Sequence, residues 1–497
     1  MQGEKGYIQC SRKWTVHIGY NIWVPIKPYH KSIFYDNNNN NKTMEREKIE
    51  KTIELLVDAV KKLKLSAYIV GGYPRAEIIG GKARDIDVLI IQTEKLEELL
   101  RILQKSYRFP PPVRYQTGKG FERIIFKEGD LEIEIIPSKF KTLKTDLLHR
   151  DFTINTLVIP LKEKSLKVLD PLGTGKPDLS MRIIRTPRSP EKTLREDPIR
   201  IIRAVRFASE ISCSIEENLW EEMKKLSCSL QQEPGERIGE EMLKIFELPD
   251  PSPSLFMLRE CGAMEKIIPE ITPALYKEQK TPYHIEDIFS HSLRTVSLLK
   301  GKSIALKIAA FFHDFGKAFT EKFERGKWVY YGHQKVSAEI CEKVLTRWGI
   351  PKEIRDKAVF IIEQHMIIYT ASWTDAAIRR LIYKLGDHLW ETLNHLIADI
   401  KSTKGSLDYE KRLILAEELV RRVKEEVIKM KTTKIKPLLD GYEIQEILKI
   451  PPSPLVGKAK DFIINNMIAN RIKTKEEAIS LLLNEFAPKY IHNERQE

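Results

Sequence analysis

Two aspartates separated by a single residue are the first feature of this sequence that could do chemistry. Asp85 and Asp87 lie in the run RDIDVLII (84–91), whose apolar residues predict a β-strand. Side chains two positions apart on a strand point to the same face, so the two carboxylates would lie side by side. Such oxygen ligands suit Mg²⁺, whose coordination is commonly completed by substrate phosphates. The pair predicts a magnesium site for phosphoryl chemistry, whereas an isolated Asp-x-Asp is more often a solvated strand face.

Two glycines precede this pair at a position where a phosphate could bind. Gly71 and Gly72 follow the predicted strand AYIV (67–70) and precede a helix-compatible stretch. Backbone N–H groups exposed at such a turn can hold phosphate, and Arg75 would add a positive charge. The alternative interpretation is a tight turn beside an ordinary surface arginine.

A third acidic group could come from the predicted strand LEIEII (131–136). Glu132 and Glu134 alternate with isoleucines there, so both lie on one strand face. We favour Glu134 as the third catalytic acid. The alternative is that both are charged residues on the solvent side of an edge strand, where they are common.

The order strand, Gly-Gly, helix, strand, Asp-x-Asp resembles the polymerase-β-type nucleotidyltransferase head. More narrowly, it resembles the class II tRNA nucleotidyltransferase and poly(A) polymerase family, whose pattern is G-G-x-x-R-D followed by D-x-D. The segment HRDFTIN (149–155) is similar to that family's R-R-D-F-T-x-N motif. The resemblance implies that Arg150 binds the nucleotide phosphates and that Asp151 binds the ribose.

The run EDPIRIIRAVRF (196–207) resembles the family's E-D-P-x-R-x-x-R motif. Asp197 offers only hydrogen-bond acceptors and Arg200 only donors, so the two can present a pattern complementary to the edge of a base. The resemblance implies that this pair selects C and A without a nucleic-acid template, and that Arg203 helps to neutralise the triphosphate. The alternative is a helix with surface ion pairs.

A second group of metal-binding residue types lies further along the chain. The dipeptide His313-Asp314 follows the apolar run IALKIAAFF (304–312), and burying such a pair is costly unless it is partnered or binds a metal. Imidazole with carboxylate suits Mn²⁺, Ni²⁺, Fe²⁺ or a hydrated Mg²⁺. The dipeptide and three further histidines resemble the HD phosphohydrolase pattern, which implies a second divalent metal held by His291, His313, Asp314, His333 and His365. Asp399 resembles the closing aspartate ligand of that pattern.

The sequence departs from the family pattern at three places. Ala76 stands where the family has an acid, with Glu77 directly after it, and His149 stands where a first arginine is usual. Only KTLKTDLL (141–148) separates the strand segment from HRDFTIN, where CCA-adding members carry a longer flexible loop. This resembles members that add only two cytidines and leave the adenosine to a separate A-adding enzyme, so we predict CC addition. An enzyme that adds only the adenosine is the alternative.

The composition favours a polyanionic partner but does not by itself choose among nucleic acid, an acidic membrane and a solvated basic surface with no ligand. The chain has 497 residues, with 83 Lys and Arg against 70 Asp and Glu, and a formal net charge of +13. Basic side chains release counterions when they bind phosphates, which fits tRNA as a partner alongside CTP and ATP. No apolar run approaches the roughly 18 residues that cross a bilayer, so no membrane partner is expected. Five scattered cysteines and the absence of a signal-like start predict a cytoplasmic location.

The predicted fold class is α+β. A polymerase-β-like nucleotidyltransferase head with a small mixed sheet would be followed by an all-α neck and body that include an HD domain and a helical tail. The predicted segments are a poorly structured N-terminal extension (1–43), the head (44–175), a neck or RNA-binding helical region (176–280), the HD domain (281–400) and the tail (401–497).

Two other functions are compatible with the sequence. A phosphohydrolase acting from the HD site on 2′,3′-cyclic phosphate or phosphomonoester RNA ends would use the head only to bind RNA. A non-catalytic RNA chaperone would incorporate no nucleotide. The intact Asp-x-Asp favours the nucleotidyltransferase. The HD pattern favours the tRNA branch of the family, since the poly(A) polymerase branch as a rule lacks that domain.

Overall fold

A computed structural model describes residues 39–80, 85–91, 93–107, 111–116, 122–128, 131–163, 166–280, 286–430, 436–469 and 471–490. The chain divides into two compact units. The first runs to Ser189 and includes Ile211–Glu216, and the second comprises Pro190–Glu210 and the chain from Glu217 onward. The first unit contains the predicted head, and the second begins within the predicted neck.

The first unit is built on a six-stranded mixed sheet. The strand order is β3-β4-β5-β2-β1-β6, in which β2 and β5 are parallel and all other neighbours antiparallel. Two further short strands, β7 and β8, pair with each other. The strands are β1 (Ala67–Val70), β2 (Asp85–Ile90), β3 (Val113–Gln116), β4 (Glu122–Glu128), β5 (Leu131–Pro137), β6 (Ile159–Pro160), β7 (Ile183–Ile184) and β8 (Ser214–Ile215). The helices are α1 (Asn39–Leu63), α2 (Gly72–Ile79), α3 (Leu96–Tyr107), α4 (Leu143–Leu148) and α5 (Gly175–Met181), with a 3₁₀ turn at Thr153–Asn155.

Helices α1 and α3 bury one face of this sheet. On β2, Ile86 and Val88 are buried in a core to which α1 contributes Leu56 and α3 contributes Leu99. Because strand side chains alternate between faces, burying these apolar residues turns the intervening Asp87 to the other face. The period-two pattern of the strand therefore determines where its carboxylates lie.

The strands predicted at 67–70, 84–91 and 131–136 are present, but two details differ. β5 is internal, between β4 and β2, so its glutamates are not on an edge strand. The first helix begins at Asn39, within the segment 1–43 that we predicted to be a poorly structured extension. Asparagine is less favourable in a helix than the best formers by well under ~1 kcal/mol, so an established helix can extend over it. The remainder of the predicted extension lies outside the described residues.

The second unit is helical, as predicted, and its described residues contain one unpredicted feature, an antiparallel hairpin of β9 (Lys322–Glu324) and β10 (Lys327–Val329). The first helices are α6 (Pro190–Glu196), α7 (Arg200–Glu210), α8 (Glu217–Leu226), α9 (Gly235–Glu247), α10 (Ser252–Glu260) and α11 (Met264–Ile267). The following helices are α12 (Ile288–Ser297), α13 (Ile304–Phe312), α14 (Lys317–Thr320), α15 (His333–Arg347), α16 (Lys352–Gln364), α17 (Asp375–Leu385), α18 (Leu389–Ser402) and α19 (Tyr409–Met430). The tail contains α20 (Gly441–Leu448), α21 (Pro454–Ile468), α22 (Lys475–Leu481) and α23 (Ala487–Tyr490).

Helix α9 packs closely against the C-terminal end of α15. A Cβ atom on Gly239 would overlap the backbone carbonyl oxygen of Trp348, so glycine is needed for this approach. The tail has a separate apolar core that includes Ile463 and Phe486. Among the described residues, no helix combines the length and apolar character that crossing a bilayer requires.

Candidate active sites

The carboxylates of Asp85 and Asp87 share one face of β2, which confirms the predicted geometry of the pair. In the parallel pairing with β5, Asp85 lies opposite Glu132 and Asp87 opposite Glu134. Residues paired in this way point to the same side of a sheet, so four acidic side chains lie on one face. A cation that neutralises this group would lower its electrostatic repulsion.

The Gly-Gly turn lies directly beside Asp87. A Cβ atom added to Gly71 would overlap Asp87 Oδ2, and Gly71 has φ +73° and ψ −129°, a conformation that side chains with a Cβ rarely adopt. Gly72 begins helix α2 immediately afterwards. The glycine turn and the carboxylate pair are thus one structural feature, although the sequence separates them.

Arg75 connects this turn to the HRDFTIN segment. Its side chain is 7% exposed and donates to Asn155 Oδ1. Asn155 Nδ2 donates to Asp151 Oδ1 (2.9 Å), which also accepts from the Phe152 backbone N–H (2.7 Å). This buried chain of hydrogen bonds holds the two motifs together. The proposed roles of Arg75 on phosphate and Asp151 on ribose stay predictions.

The two glutamates of β5 differ in their surroundings. Glu134 Oε1 lies 3.1 Å from Arg123 Nε and its side chain is 12% exposed, whereas Glu132 Oε2 lies 3.0 Å from Lys127 Nζ with 30% exposure. Glu134 is therefore the more enclosed acid and pairs in register with Asp87. This placement favours Glu134 over Glu132 as the third acid, and its catalytic role stays a prediction.

The connection between β5 and α4 is short and tightly packed. Ser138 Oγ donates to Asp146 Oδ2 (2.8 Å), and the Phe140 ring stacks on His149 with centroids 4.3 Å apart. Arg150 Nε lies 3.4 Å from Asp146 Oδ1. These contacts tie the connection to the HRDFTIN motif.

Ala76, which stands where the family pattern has an acid, is half-buried on α2.

In the second unit, Asp197 and Arg200 lie at the junction of α6 and α7. Asp197 accepts two hydrogen bonds from Arg237 Nη2 of α9, at 3.1 and 2.9 Å. Arg200 Nη1 donates to the Thr193 carbonyl (3.1 Å) and lies 3.3 Å from Glu196. Sequence reasoning missed Arg237, which orients the Asp197 carboxylate. Base recognition by Asp197 and Arg200 stays a prediction.

Arg203 belongs to a buried ionic cluster in the same unit. Its Nη1 lies 3.3 Å from Glu241 Oε1, and Arg206 Nε lies 2.7 Å from Glu241 Oε2. Burial raises the pKa of Glu241, but the positive charges of Arg203 and Arg206 outweigh burial and hold that pKa below its usual value. The cluster joins α7 to α9. Binding of the triphosphate by Arg203 stays a prediction.

The five predicted HD residues form one buried cluster around the Asp314 carboxylate. On one side, Asp314 Oδ2 lies 3.4 Å from His291 Nε2 and 3.3 Å from His313 Nε2. On the other side, Asp314 Oδ1 lies 3.3 Å from His333 Nε2 and 3.9 Å from His365 Nε2. The result is two possible ligand triads that share Asp314.

The tautomers of these histidines fit metal binding. The Nδ1 atoms of His313, His333 and His365 lie 2.7–2.9 Å from backbone carbonyl oxygens, which assigns the proton to Nδ1 in a neutral ring. The lone pair of each Nε2 then points into the cluster, as in histidines held by an outer hydrogen bond for metal coordination. Nε2 atoms of His333 and His365 are 3.2 Å apart, so two lone pairs face one another and favour a cation between them.

Asp399 joins the first triad, as its resemblance to a closing ligand implied. Its Oδ1 lies 3.0 Å from His291 Nε2 and 3.6 Å from His313 Nε2. His395, one helical turn earlier, was missed by sequence reasoning. It is fully buried, its ring lies 4.9 Å from that of His313, and neither ring nitrogen has a hydrogen-bond partner among the described residues. The spacing of four between His395 and Asp399 was the available signal, because such residues share a helix face.

The charges of the cluster are unevenly distributed. Burial opposes a charged His313 ring, but the Asp314 and Asp399 carboxylates raise its pKa to about 10. Burial raises the pKa of Asp314, but the charges of His313 and Lys317 hold it well below its usual value. Burial lowers the pKa of His365 to about 3, with the charge of His313 acting in the same direction. The His313 ring therefore retains a proton where a metal cation fits, whereas the His365 ring is neutral.

Three family models match successive parts of the chain. The model described as the poly A polymerase head domain matches residues 67–185. The model described as a probable RNA and SrmB-binding site of polymerase A matches residues 213–275, and the HD domain model matches residues 288–398. The matches cover the sheet unit, the α8–α10 region and the histidine cluster.

Several curated relatives are similar over most of the chain. An A-adding tRNA nucleotidyltransferase of Deinococcus radiodurans is 26% identical over 426 residues, covering 83% of this chain and 94% of the relative. A CC-adding tRNA nucleotidyltransferase of Thermus thermophilus is 28% identical over 428 residues, covering 84% and 93%. A multifunctional CCA protein of Herminiimonas arsenicoxydans is 29% identical and covers 61% and 73%.

The fold is similar to that of a solved CCA-adding enzyme. The structure of the Bacillus stearothermophilus enzyme in complex with CTP has a TM-score of 0.59, is 20% identical, and covers 88% of this chain and 97% of that chain. At this identity the similarity concerns the fold. A poly A polymerase head, an RNA-binding region and an HD domain follow one another in the chain, as the resemblance to the class II tRNA nucleotidyltransferase and poly(A) polymerase family implied.

Proposed function

We propose that this protein is a tRNA 3′-end nucleotidyltransferase that adds C, A or both from CTP and ATP and releases pyrophosphate. The observation that carries the proposal is the placement of Asp85 and Asp87 on one strand face, directly against the Gly71 turn. The A-adding and CC-adding relatives, similar over 83% and 84% of the chain, support tRNA as the substrate. Free thiols at all four described cysteines agree with a cytoplasmic location.

The chemistry assigned to the first unit requires a divalent cation. Mg²⁺ held by Asp85 and Asp87 would favour attack of the tRNA 3′-hydroxyl on the α-phosphate and stabilise the leaving pyrophosphate. The glycine turn and Arg150 bind the phosphates, and Glu134 completes the acidic face. In the second unit, Asp197 and Arg200 supply the hydrogen bonds that select the base.

Substitution of the aspartates tests this proposal. D85N and D87N should each lower incorporation of labelled CTP into tRNA lacking its 3′ end by about 100-fold or more, because a neutral amide binds Mg²⁺ poorly. Asp58→Asn, an exposed position on α1 beneath the other face of the sheet, is the matched control and should retain activity. Absence of incorporation by the wild-type protein would refute the proposal and favour a non-catalytic RNA chaperone.

We further propose that the enzyme adds the two cytidines only. The support is the connection between β5 and α4, which is held by the Ser138–Asp146 hydrogen bond and the Phe140–His149 stack. A segment fixed in this way cannot move with the nucleotide as a long flexible loop can. Products made from tRNA ending at the discriminator base, with CTP and ATP together, should end in CC. A 3′-terminal CCA contradicts CC specificity, and extension only of tRNA already ending in CC indicates A addition.

The histidine cluster supports a second activity, a metal-dependent phosphohydrolase acting on 2′,3′-cyclic phosphate or phosphomonoester ends of RNA. The observation that favours it is the pair of triads sharing Asp314, whose donors suit Mn²⁺, Ni²⁺ or Fe²⁺. Hydrolysis of adenosine 2′,3′-cyclic phosphate with added Mn²⁺ should be abolished in Asp314→Asn and retained in Asp85→Asn. Loss of hydrolysis in both variants, or no hydrolysis by the wild type, would refute a separate HD activity.

A further inference from the structure

The hairpin of β9 and β10 lies in sequence between two parts of the histidine cluster. It follows the Asp314 segment and precedes His333. Its turn is formed by Arg325 and Gly326, both at positive φ (50° and 77°), which suits a tight two-residue hairpin. Such a hairpin lacks a core of its own, so its side chains are available for another purpose.

The base of the hairpin is linked directly to the ligands. His333 Nδ1 donates to the Tyr330 carbonyl (2.8 Å), so the residue following β10 orients a ligand ring. Lys317 Nζ lies 2.6 Å from Asp314 Oδ2 and 5.9 Å from the centre of the Tyr330 ring. The Tyr330 hydroxyl accepts from the Lys280 backbone N–H (3.2 Å). Tyr330 therefore connects the base of the hairpin to the ligand His333 and to Lys317, which contacts Asp314.

The hairpin presents exposed aromatic rings to solvent. Phe323 and Trp328 are paired across the strands with centroids 5.2 Å apart; Phe323 is 61% exposed and Trp328 is half-buried. Tyr331, two residues after the end of β10, is 71% exposed. Lys280 Nζ lies 4.0 Å from the centre of the Trp328 ring. Clustered exposed aromatic side chains of this kind commonly mark a binding surface.

Positive charge lies beside these rings. Lys280 Nζ is over the Trp328 ring and Arg325 is exposed in the turn, whereas the exposed Lys322, Glu324 and Lys327 alternate with the two rings and lie on the opposite face of the hairpin. An exposed apolar surface beside cations is complementary to a nucleotide, since the base stacks on an aromatic ring and the phosphate is attracted to the basic groups. A phosphate ester without a base has no aromatic ring that could stack on Phe323 and Trp328.

We propose that the hairpin of β9 and β10 is a base-stacking platform that delivers a phosphorylated RNA 3′ end to the histidine cluster. The proposal rests on the phosphohydrolase function given above and specifies its substrate class as nucleotides rather than phosphate esters in general. Phe323 and Trp328 stack on the terminal base, and Lys280 and Arg325 attract the backbone phosphate that precedes it. The platform affects substrate binding and makes no contact with the bond that is cleaved.

The test compares a substrate that has a base with one that lacks it. With Mn²⁺-loaded full-length protein, F323A/W328A should lower kcat/KM for adenosine 2′,3′-cyclic phosphate by about tenfold or more, mainly through KM, because stacking contributes about that much per base. Hydrolysis of glycerol 2-phosphate should be unchanged. Tyr442→Ala, which removes an 85% exposed ring in the tail, is the matched control and should alter neither substrate. An equal loss of kcat/KM for both substrates, or no loss for either, would refute the proposed platform.

A second measurement does not depend on hydrolysis. Photocrosslinking of 8-azidoadenosine 3′-monophosphate, followed by peptide mapping, should label the segment 321–331 in the wild type and lose that label in F323A/W328A. If the wild type hydrolyses neither substrate but is labelled there, the phosphohydrolase function fails while the nucleotide platform stands. If segment 321–331 is not labelled in the wild type, the platform is wrong whatever the activity.

Discussion

Gly71→Ala is the substitution that most directly tests the structure of the nucleotidyltransferase site. Gly71 lies at φ +73° and ψ −129° with its α-carbon against the Asp87 carboxylate. Adding one methyl group changes no charge and removes no hydrogen-bonding side chain. A loss of activity larger than that of a control with the same positive φ therefore reports on the contact between Gly71 and Asp87.

Two effects contribute to the expected loss. A residue with a Cβ in this backbone region costs about 1–3 kcal/mol of stability. The new Cβ overlaps Asp87 Oδ2, so the carboxylate has to withdraw by roughly 1 Å, a displacement that can cost about 100-fold in rate. That factor corresponds to about 2.7 kcal/mol in the activation barrier. We therefore expect kcat/KM for CTP to fall by about two orders of magnitude, mostly through kcat.

The assay is single-turnover incorporation of CTP into tRNA lacking its 3′ end. Gly80→Ala is the matched control, because Gly80 also has φ +73° and lies at the end of the same helix, but its Cβ would have nothing within 4 Å. It should lose ~1–2 kcal/mol of stability and retain activity. Activity of G71A within about threefold of wild type, or an equal loss in G80A, would refute the role assigned to the Gly71–Asp87 contact.

Three further predictions concern the second unit. Arg237→Ala frees Asp197 from two hydrogen bonds, so the preference for CTP over UTP should fall by about tenfold in competition assays, and an unchanged ratio contradicts its positioning role. Glu241→Gln should destabilise the protein by about 1–3 kcal/mol at pH 7 in denaturant unfolding. The pKa of Glu241 is lower in the folded protein than in the unfolded chain, so its stabilising effect is present above the unfolded pKa and is lost on acidification. The difference in free energy of unfolding between wild type and Glu241→Gln should therefore shrink below about pH 4.5. A difference that stays constant with pH argues against the ion pairs. His395→Leu removes two buried nitrogens that have no hydrogen-bond partner within the described part of the chain, and it should raise the Tm of the metal-free protein, whereas a lower Tm would indicate partners such as bound water.

Local sequence patterns predicted much of the fold. The alternation in RDIDVLII predicted both a strand and the shared face of Asp85 and Asp87, because the side-chain period of a strand follows from its backbone geometry. The helical second unit was likewise predicted from apolar spacing. The short strands β3 and β6 and the hairpin of β9 and β10 were not predicted, since strands of two to four residues are too short to show a period and depend on pairing with distant segments.

The sequence alone determined which residue types could bind metal, phosphate and base. In His313-Asp314 and Asp85-x-Asp87 the metal-binding residue types are adjacent or nearly adjacent in the chain, so the pattern is visible without a structure. Only the tertiary structure decided how they are arranged. It places Glu134 on an internal strand in register with Asp87, holds Asp197 with Arg237, and adds His395 to the cluster around Asp314. The physical reason is that these contacts join residues far apart in the chain, and no local propensity encodes them. They form only when burial of the sheet face and of the helix cores brings their backbones together.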